Sequence, residues 1–370
     1  MKVSIVLPTR DEQDSIEKVV RGCLSLSFDK EVIVVDDSAD RTPEIAEKLG
    51  CKVIRGVKGY GRAFLEGFKK SSGDIIVMLD ADGSYDPLEI PRLIEPIIKG
   101  EADLVIGSRF KGKIMPKAMP WHHRYVGNPV LTKLTNLLFK TRLSDVHSGM
   151  RAFRRDAVAK IDPVCPGMEF ATEIVLKAAI RGLRISEVPI TYHPRIGFSK
   201  LRSFRDGWRH LRLVLAASPR HLFLLPSVIL IFAGIATTLF VTLLEPIRTH
   251  TLIFGSTLLL LGIQTFFFGV SGKIYLRQIG FGVEDGLTKA FGKYSTMEKI
   301  LLLGLALFIL GTYSGYRVFA SWVEKGFGSL AEFNQALISL LLVVSGFQIA
   351  ISSIFLSMFL LKEEKDNNNK

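Results

Sequence analysis

Five consecutive residues of buried type, Ile75-Ile76-Val77-Met78-Leu79, run straight into two carboxylates, Asp80 and Asp82, with only Ala81 between them. An apolar run without polar alternation reads as a strand covered on both faces, as in a parallel sheet. Such a strand commits its surroundings to helices packed on either side of a sheet. Side chains two apart on an extended backbone project to the same side, so both acids arrive together at the sheet's rim. Two carboxylates over one divalent cation, with phosphate oxygens completing the shell, is a common way of holding Mg²⁺. An Asp-Gly turn that merely closes a strand would have the same letters. The flanking sequence has to decide.

Strand-like runs at Val3–Leu7, Glu31–Val35, Lys52–Arg55 and Asp103–Ile106 alternate with helical stretches at Ser15–Leu26, Thr42–Leu49, Gly61–Ser71 and Pro87–Lys99. Asp14 and Glu17 have capping-box spacing, Thr42-Pro43 reads as cap and first turn, and Asp86 caps the stretch that contains Glu89. The alternation predicts a mostly parallel, Rossmann-like sheet that binds ligands at the carboxyl ends of its strands. Polar clusters fall at those ends: Pro8–Glu12, Asp36–Ser38, Asp80–Ser84 and Gly107–Arg109. The Gly59-Tyr60-Gly61 segment lacks the glycine spacing of a dinucleotide fingerprint.

Apolar residues make up 48% of the 370-residue chain, and they crowd into its second half. Four spans, about Leu222–Leu244, Leu252–Ile274, Ile300–Ala320 and Ala336–Leu361, each hold roughly the 20 apolar residues that cross hydrocarbon. The expected organisation is a soluble domain over 1–200, a basic amphipathic segment over 201–220, four transmembrane helices in two pairs over 221–361, and a disordered tail over 362–370. In the amphipathic segment Phe204, Trp208, Leu211 and Leu215 share one side, and Arg202, Arg205, Arg209 and Arg212 take the rest. That pattern belongs among lipid headgroups. A second candidate, Asn128–Lys140, sets Val130, Leu131, Leu134, Leu137 and Leu138 opposite Thr132, Lys133 and Asn136, and suits either core packing or a membrane surface.

Lys273, Arg277, Lys289, Lys293 and Lys299 flank the middle loop, against Arg317 and Lys325 in the last one. The positive-inside bias places the soluble domain and both termini in the cytosol, and the first apolar run is too short for a signal peptide. Glu245–Thr251 reads as a tight hairpin, and Gln264 and Gln348 as contacts between helices. The net charge of +12 suits anionic lipid or a phosphorylated ligand. No basic low-complexity tail or zinc-finger spacing points to nucleic acid. Cys23, Cys51 and Cys165 are too scattered for a disulfide framework or zinc site.

The ordered series PTRDE, VVDDS, KGYGRA, DADGS, GSRF and DVHSGMRAFRR resembles family 2 glycosyltransferases of the GT-A fold. Within that family the chain resembles the polyprenyl-phosphate (dolichyl-phosphate) sugar synthases, over about residues 1–215. The resemblance implies an α/β GT-A catalytic domain followed by an α-helical transmembrane domain. It implies a metal-dependent, inverting transfer of a hexose from a UDP- or GDP-linked donor to a polyprenyl or dolichyl phosphate. Pro8, Thr9, Asp11 and Glu12 would border the nucleobase and ribose, with Asp36, Asp37 and Ser38 beside them. Gly59, Gly61 and Arg62 would lie near the diphosphate, Asp80 and Asp82 would hold Mg²⁺ or Mn²⁺ against it, and Ala81 between them would belong to the nucleotide-sugar site. Arg109, Ser148, Gly149 and Arg151 would form a second, phosphate-binding shell. Arg195, Ser199 and Lys200 lie in a segment similar to the family's RxGxSKL. Asp80, Asp82, Arg109 and Arg151 would carry the chemistry.

Asp11 departs from the family, which more often has Asn there; either side chain accepts a hydrogen bond. Asp145 and Glu173 are candidate bases, required only if the acceptor is a hydroxyl. His122 and His123, beside Trp121, read as interfacial packing. The WHHRYVGNPVLTKLTNLLF and SGMRAFRR segments lean toward a UDP-glucose-type enzyme over a GDP-mannose one. Processive polysaccharide synthases carry a QxxRW segment that is absent here. A non-catalytic membrane scaffold is the remaining alternative, and the retained acid pair speaks against it.

Overall fold

The computed structural model describes residues 1–197, 203–243, 248–282, 284–327 and 332–368, with the backbone alone at 203 and 362–368. The chain forms two compact units, Met1–Ala217 and Ser218–Lys370. The first is built from β1 (Val3–Thr9), α1 (Ile16–Leu24), β2 (Lys30–Asp36), α2 (Thr42–Lys48), β3 (Lys52–Arg55), α3 (Tyr60–Lys70), β4 (Ile75–Met78) and α4 (Ile90–Ile98). It continues through β5 (Leu104–Ile114), α5 (Asn128–Phe139), β6 (Arg151–Arg154), α6 (Arg155–Ile161), α7 (Phe170–Ile180), β7 (Ile185–Tyr192) and α8 (Ser203–Ala216). The seven strands lie in the order β3-β2-β1-β4-β6-β5-β7. Every pair is parallel except those of β6, which runs antiparallel to β4 and β5.

The apolar runs have no polar alternation because both faces of the sheet are buried. Ile75, Val77 and Leu79 pack on one side with Ile16, Val20, Leu93 and Ile97; Ile76 and Met78 pack on the other with Phe64, Phe68, Phe170 and Ile174. Pro8 does not break β1. It stays in register with Val35, and pairing with β4 has already ended at Val6. The capping box expected at Asp14 does not form: α1 begins after Ser15, whose hydroxyl donates instead to the Ala81 carbonyl at 2.8 Å. Thr42 is the first residue of α2 rather than its cap. Pro87–Glu89 forms a 3-10 turn, with Asp86 accepting from the Leu88 N–H at 2.9 Å, before α4 begins.

The second unit contains α9 (Leu225–Leu243), α10 (Thr249–Gln278), the short α11 (Gly286–Phe291), α12 (Tyr294–Glu324) and α13 (Phe333–Asn368). Four of its helical stretches are long and apolar enough to cross a membrane. Thr249 bonds Asn334 at one end of the α10–α13 pair (3.0 Å), and Gln278 bonds the Phe359 carbonyl at the other (2.6 Å). These two helices therefore run in the same direction. Gln348, expected as a contact between helices, has its Oε1 buried without a hydrogen-bond partner among the described residues. The stretch expected to be disordered continues α13 as far as Asn368. Of the expected Glu245–Thr251 hairpin, residues 245–247 lie outside the described residues, and Thr249 already begins α10.

Candidate active site

The ends of β2, β1 and β4 lie side by side, which brings three of the polar clusters to one rim. Asp82 is 4% exposed. Its Oδ1 accepts from the Ser84 N–H (2.9 Å) and hydroxyl (2.5 Å), and its Oδ2 takes an ion pair from Arg195. The segment carrying Arg195 is fastened to this turn, since Ile196 N–H donates to the Asp82 carbonyl (2.8 Å) and His193 N–H to the Ser84 carbonyl (2.9 Å). Asp80 accepts from the Tyr60 hydroxyl at 3.0 Å. The Gly149 backbone lies against its other oxygen, so closely that a Cβ there would overlap it.

Burial, and then the Asp82 carboxylate beside it, pushes the Asp80 carboxyl up to about 7. Two acids held this close leave negative charge that a divalent cation would neutralise. Among the described residues no group of three or more His, Cys, Asp or Glu side chains is placed to hold a metal alone. The donor set is thus two carboxylates with the remaining positions left to phosphate and water, and it fits Mg²⁺ or Mn²⁺.

The raised value also has a stability consequence. Folded Asp80 holds its proton up to about pH 7, whereas the unperturbed group releases it near 3.8. Without divalent cations, this residue's contribution should therefore fall as pH rises through that window. Asp80→Asn is expected to flatten that limb in chelator-treated thermal melts. An unchanged profile in the variant would show that the carboxyl is not strained.

Arg109 forms the second centre. Its Nε and Nη2 grip both Asp145 oxygens at 2.7 and 2.8 Å, and its guanidinium lies 5.1 Å from the Tyr192 ring centroid. Asp145 is fully buried in this bidentate pair, so it orients the arginine rather than standing free as a base. Arg109 lines a pocket of about 260 Å³ together with Phe110, Gly112, Ile114, Arg124, Tyr125 and Pro129. Arg124 was not singled out from the sequence. Neither was Tyr60, whose only signal was its place between the two glycines.

Several expected site residues have other work. Arg151 is fully buried, donating to the carbonyls of Ser148 (2.9 Å), Ala171 (2.5 Å) and Val146 (2.7 Å). Burial brings its pKa down to about 10. It cannot reach a phosphate; it staples the turn that bears Asp145 and Gly149. Ser148 is equally buried in that turn. Glu173 is excluded as a base by its ion pair to Lys177 (2.9 Å) and by accepting from the N–H groups of Val164 (2.9 Å) and Cys165 (2.6 Å).

Asp36, 2% exposed, takes the Thr9 hydroxyl (2.7 Å) and the Ser38 N–H (3.0 Å) and hydroxyl (2.6 Å), bracing the rim rather than facing it. The N–H groups of Gly61 and Arg62 donate to the Pro166 carbonyl at 3.1 and 3.3 Å, so neither is available to a diphosphate. Gly61 is required for packing, because a Cβ would run into Cys165 and Phe170. The Arg62 side chain remains exposed. Ala81 is buried beneath the acid pair, and Ser199 and Lys200 lie outside the described residues.

At the β1 and β2 ends, Asp11 adopts a left-handed backbone (φ 50°) and its Oδ1 accepts from the Ala39 N–H at 2.8 Å. Ser38 accepts from the Asp11 N–H at 2.8 Å, and Glu12 N–H donates to Thr42 at 2.9 Å. Asparagine tolerates this conformation and keeps an acceptor. Asp11→Asn should thus change stability by less than about 0.5 kcal/mol, and Asp11→Ala should cost about 1–2 kcal/mol. Equal denaturation midpoints for the two variants would contradict this.

On α5 the buried residues are Thr132 and Thr135, while Val130 and Leu137 stay exposed at 55% and 73%. Core packing would bury the opposite face. α8 does the same: Asp206, His210 and Val214 turn inward, and Phe204 (90% exposed) and Trp208 (55%) turn out. Two helices of the first unit thus leave large apolar or aromatic side chains on their outer sides, Val130 and Leu137 on α5 and Phe204 and Trp208 on α8. Trp121, Tyr125 and Val126, just ahead of α5, extend the exposed set.

Residues 4–162 match Glycosyl transferase family 2, and residues 270–360 match the Glycosyltransferase family 2 C-terminal transmembrane region. The chain is 38% identical over 364 residues to the low-salt glycan biosynthesis hexosyltransferase Agl6 of Haloferax volcanii, covering 96% of this chain and 88% of that one. It is 33% identical over 208 residues to a dolichyl-phosphate hexose transferase of the same organism, covering 55% of this chain and 89% of that one. With the dolichol-phosphate mannosyltransferase of Pyrococcus furiosus it shares 35% over 214 residues, 55% of this chain and 60% of that one. The chain belongs to glycosyltransferase family 2. It is an integral membrane glycosyltransferase related to the dolichyl-phosphate hexose transferases.

Proposed function

We propose that this enzyme transfers a hexose, with inversion, from a nucleotide sugar to the phosphate of a polyprenol or dolichol held in the membrane. One observation carries the reading. The turn Asp145–Gly149 touches both centres: Asp145 grips Arg109, and Gly149 abuts Asp80. A carboxylate pair suited to a cation-bound diphosphate and an arginine suited to a second phosphate are therefore built on one short stretch of backbone. The outward apolar faces of α5 and α8 favour work at a bilayer surface. Four membrane-crossing helices would keep the acceptor's surroundings permanently at hand.

When bound, a Mg²⁺ or Mn²⁺ ion would neutralise charge on the departing nucleotide diphosphate. Asp80 and Asp82 hold that position, with Tyr60 and Ser84 fixing their oxygens. Asp37, Asp11 and Glu12, at the ends of β1 and β2, lie on the nucleoside side. Arg109 and Arg124 receive the acceptor phosphate, with Asp145 fixing the Arg109 fork. Arg195, Ser199 and Lys200 are assigned to phosphate binding. A phosphate monoester has a second pKa of about 6 and arrives ionised, so attack at the anomeric carbon requires no side-chain base. The burial of Asp145 and Glu173 in ion pairs is consistent with that.

UDP-glucose is the favoured donor, with GDP-mannose the alternative, and the catalytic unit and both termini are placed in the cytosol. The test is purified protein with a short polyprenyl phosphate and a panel of labelled nucleotide sugars, followed by lipid extraction. Label is expected in the organic phase from one donor. Label only in soluble or polymeric products would reject the proposal.

A further inference from the structure

His147 has no part in the mechanism above, yet it stands in the turn that joins the two centres. Both of its ring nitrogens are buried and lack a hydrogen-bond partner among the described residues. With neither nitrogen hydrogen-bonded to them, the ring's seat is set by packing. What meets it is His210 of α8, edge to face, with ring centroids 4.7 Å apart and planes at 84°. His210 is itself 9% exposed and fixed by a 2.7 Å hydrogen bond between its Nδ1 and the Thr172 hydroxyl of α7.

α8 is therefore a two-sided element. Its outer side carries Phe204, Trp208, Arg205 and Arg212, the groups that would enter a headgroup layer, while its inner side offers His210 to the active-site turn. From His147 the chain runs through Ser148 to Gly149, which lies against Asp80. Two residues back, Asp145 holds Arg109. A change in how α8 sits would press on His147 and reach both centres through five residues of backbone.

We propose that His147 and His210 are positioning residues that couple the seating of α8 on an anionic lipid surface to the geometry of the Asp80 and Arg109 centres. The lipid surface acts here as an effector distinct from the acceptor. This rests on the transferase reading above, and one of its readouts does not involve turnover.

The experiment compares the full chain in nanodiscs of neutral phosphatidylcholine and in nanodiscs containing phosphatidylglycerol, with a short, water-soluble polyprenyl phosphate as acceptor. Wild type is expected to gain about fivefold or more in kcat on the anionic surface, the lower range of known couplings between sites. Amide exchange across residues 144–150 should slow at the same time. His147→Ala and His210→Ala should lose both responses. His147→Phe, which keeps the aromatic edge and removes the nitrogens, should retain them.

Equal lipid responses in wild type and the alanine variants would overturn the coupling. Loss in His147→Phe as complete as in His147→Ala would also overturn it, since the nitrogens would then serve a bound water or ligand. If no donor supports transfer but the exchange response is present and lost in the alanine variants, the transferase reading fails and the coupling stands.

Discussion

Asp82→Ala is expected to lower hexose transfer by at least about 10³-fold, the scale on which removing a group that stabilises charge in the transition state acts. The protein should remain folded in the membrane. Asp82 sits beside a carboxyl already pushed up to about 7 by burial and by Asp82 itself, so deleting it relieves repulsion as well as removing a donor to the cation. Its Arg195 partner is 30% exposed and can turn to solvent. A thermal melt in chelator should show the variant losing less stability above pH 7 than below it, because relief of the repulsion offsets part of the lost Ser84 hydrogen bonds. Full turnover in Asp82→Ala would remove the cation from the mechanism. A collapsed melt would mean that the pair is structural.

Arg151→Met should act in the opposite sense, on folding rather than on chemistry. Three backbone carbonyls lose their donor inside a fully buried site. Each buried carbonyl left without a donor costs about 1–3 kcal/mol, and three of them together are a large part of the stability of an ordinary domain. The expected result is a large drop in denaturation midpoint or failure to accumulate folded protein. A stable variant with reduced kcat would instead restore Arg151 to the phosphate site.

The contrast between these two residues shows what was legible in the sequence. The acid pair could be placed because a strand with two buried faces leaves its carboxylates only one direction to emerge. The four membrane-crossing stretches were equally plain, since hydrocarbon thickness sets their length. Arg151 was misread because a motif marks a position, whereas burial is decided by what packs over it. Ala171 at the start of α7, distant in sequence, supplies one of its acceptors.

β6 was missed for a related reason. It is four residues long, begins and ends with arginine, and owes its strand to pairing with β4 and β5. α7 was missed because its buried positions include Glu173 and Lys177, whose mutual ion pair makes polar letters part of a core. Gly61 looked like phosphate-cradle chemistry and proved to be a close approach between α3 and the loop at Cys165. On α5 and α8 only the fold could show that Val130, Leu137, Phe204 and Trp208 point out, while Leu131, Leu134, Leu138, Leu211 and Leu215 are half-buried.

The most direct test offers the enzyme a polyprenyl phosphate and the uncharged polyprenol of the same length, each with and without a chelator, and counts labelled hexose in the lipid extract. Product is expected from the phosphate alone and only while divalent cation is present. Comparable product from the alcohol, or turnover that survives chelation, would contradict a transfer in which clamped carboxylates steady the leaving diphosphate while a lipid anion attacks.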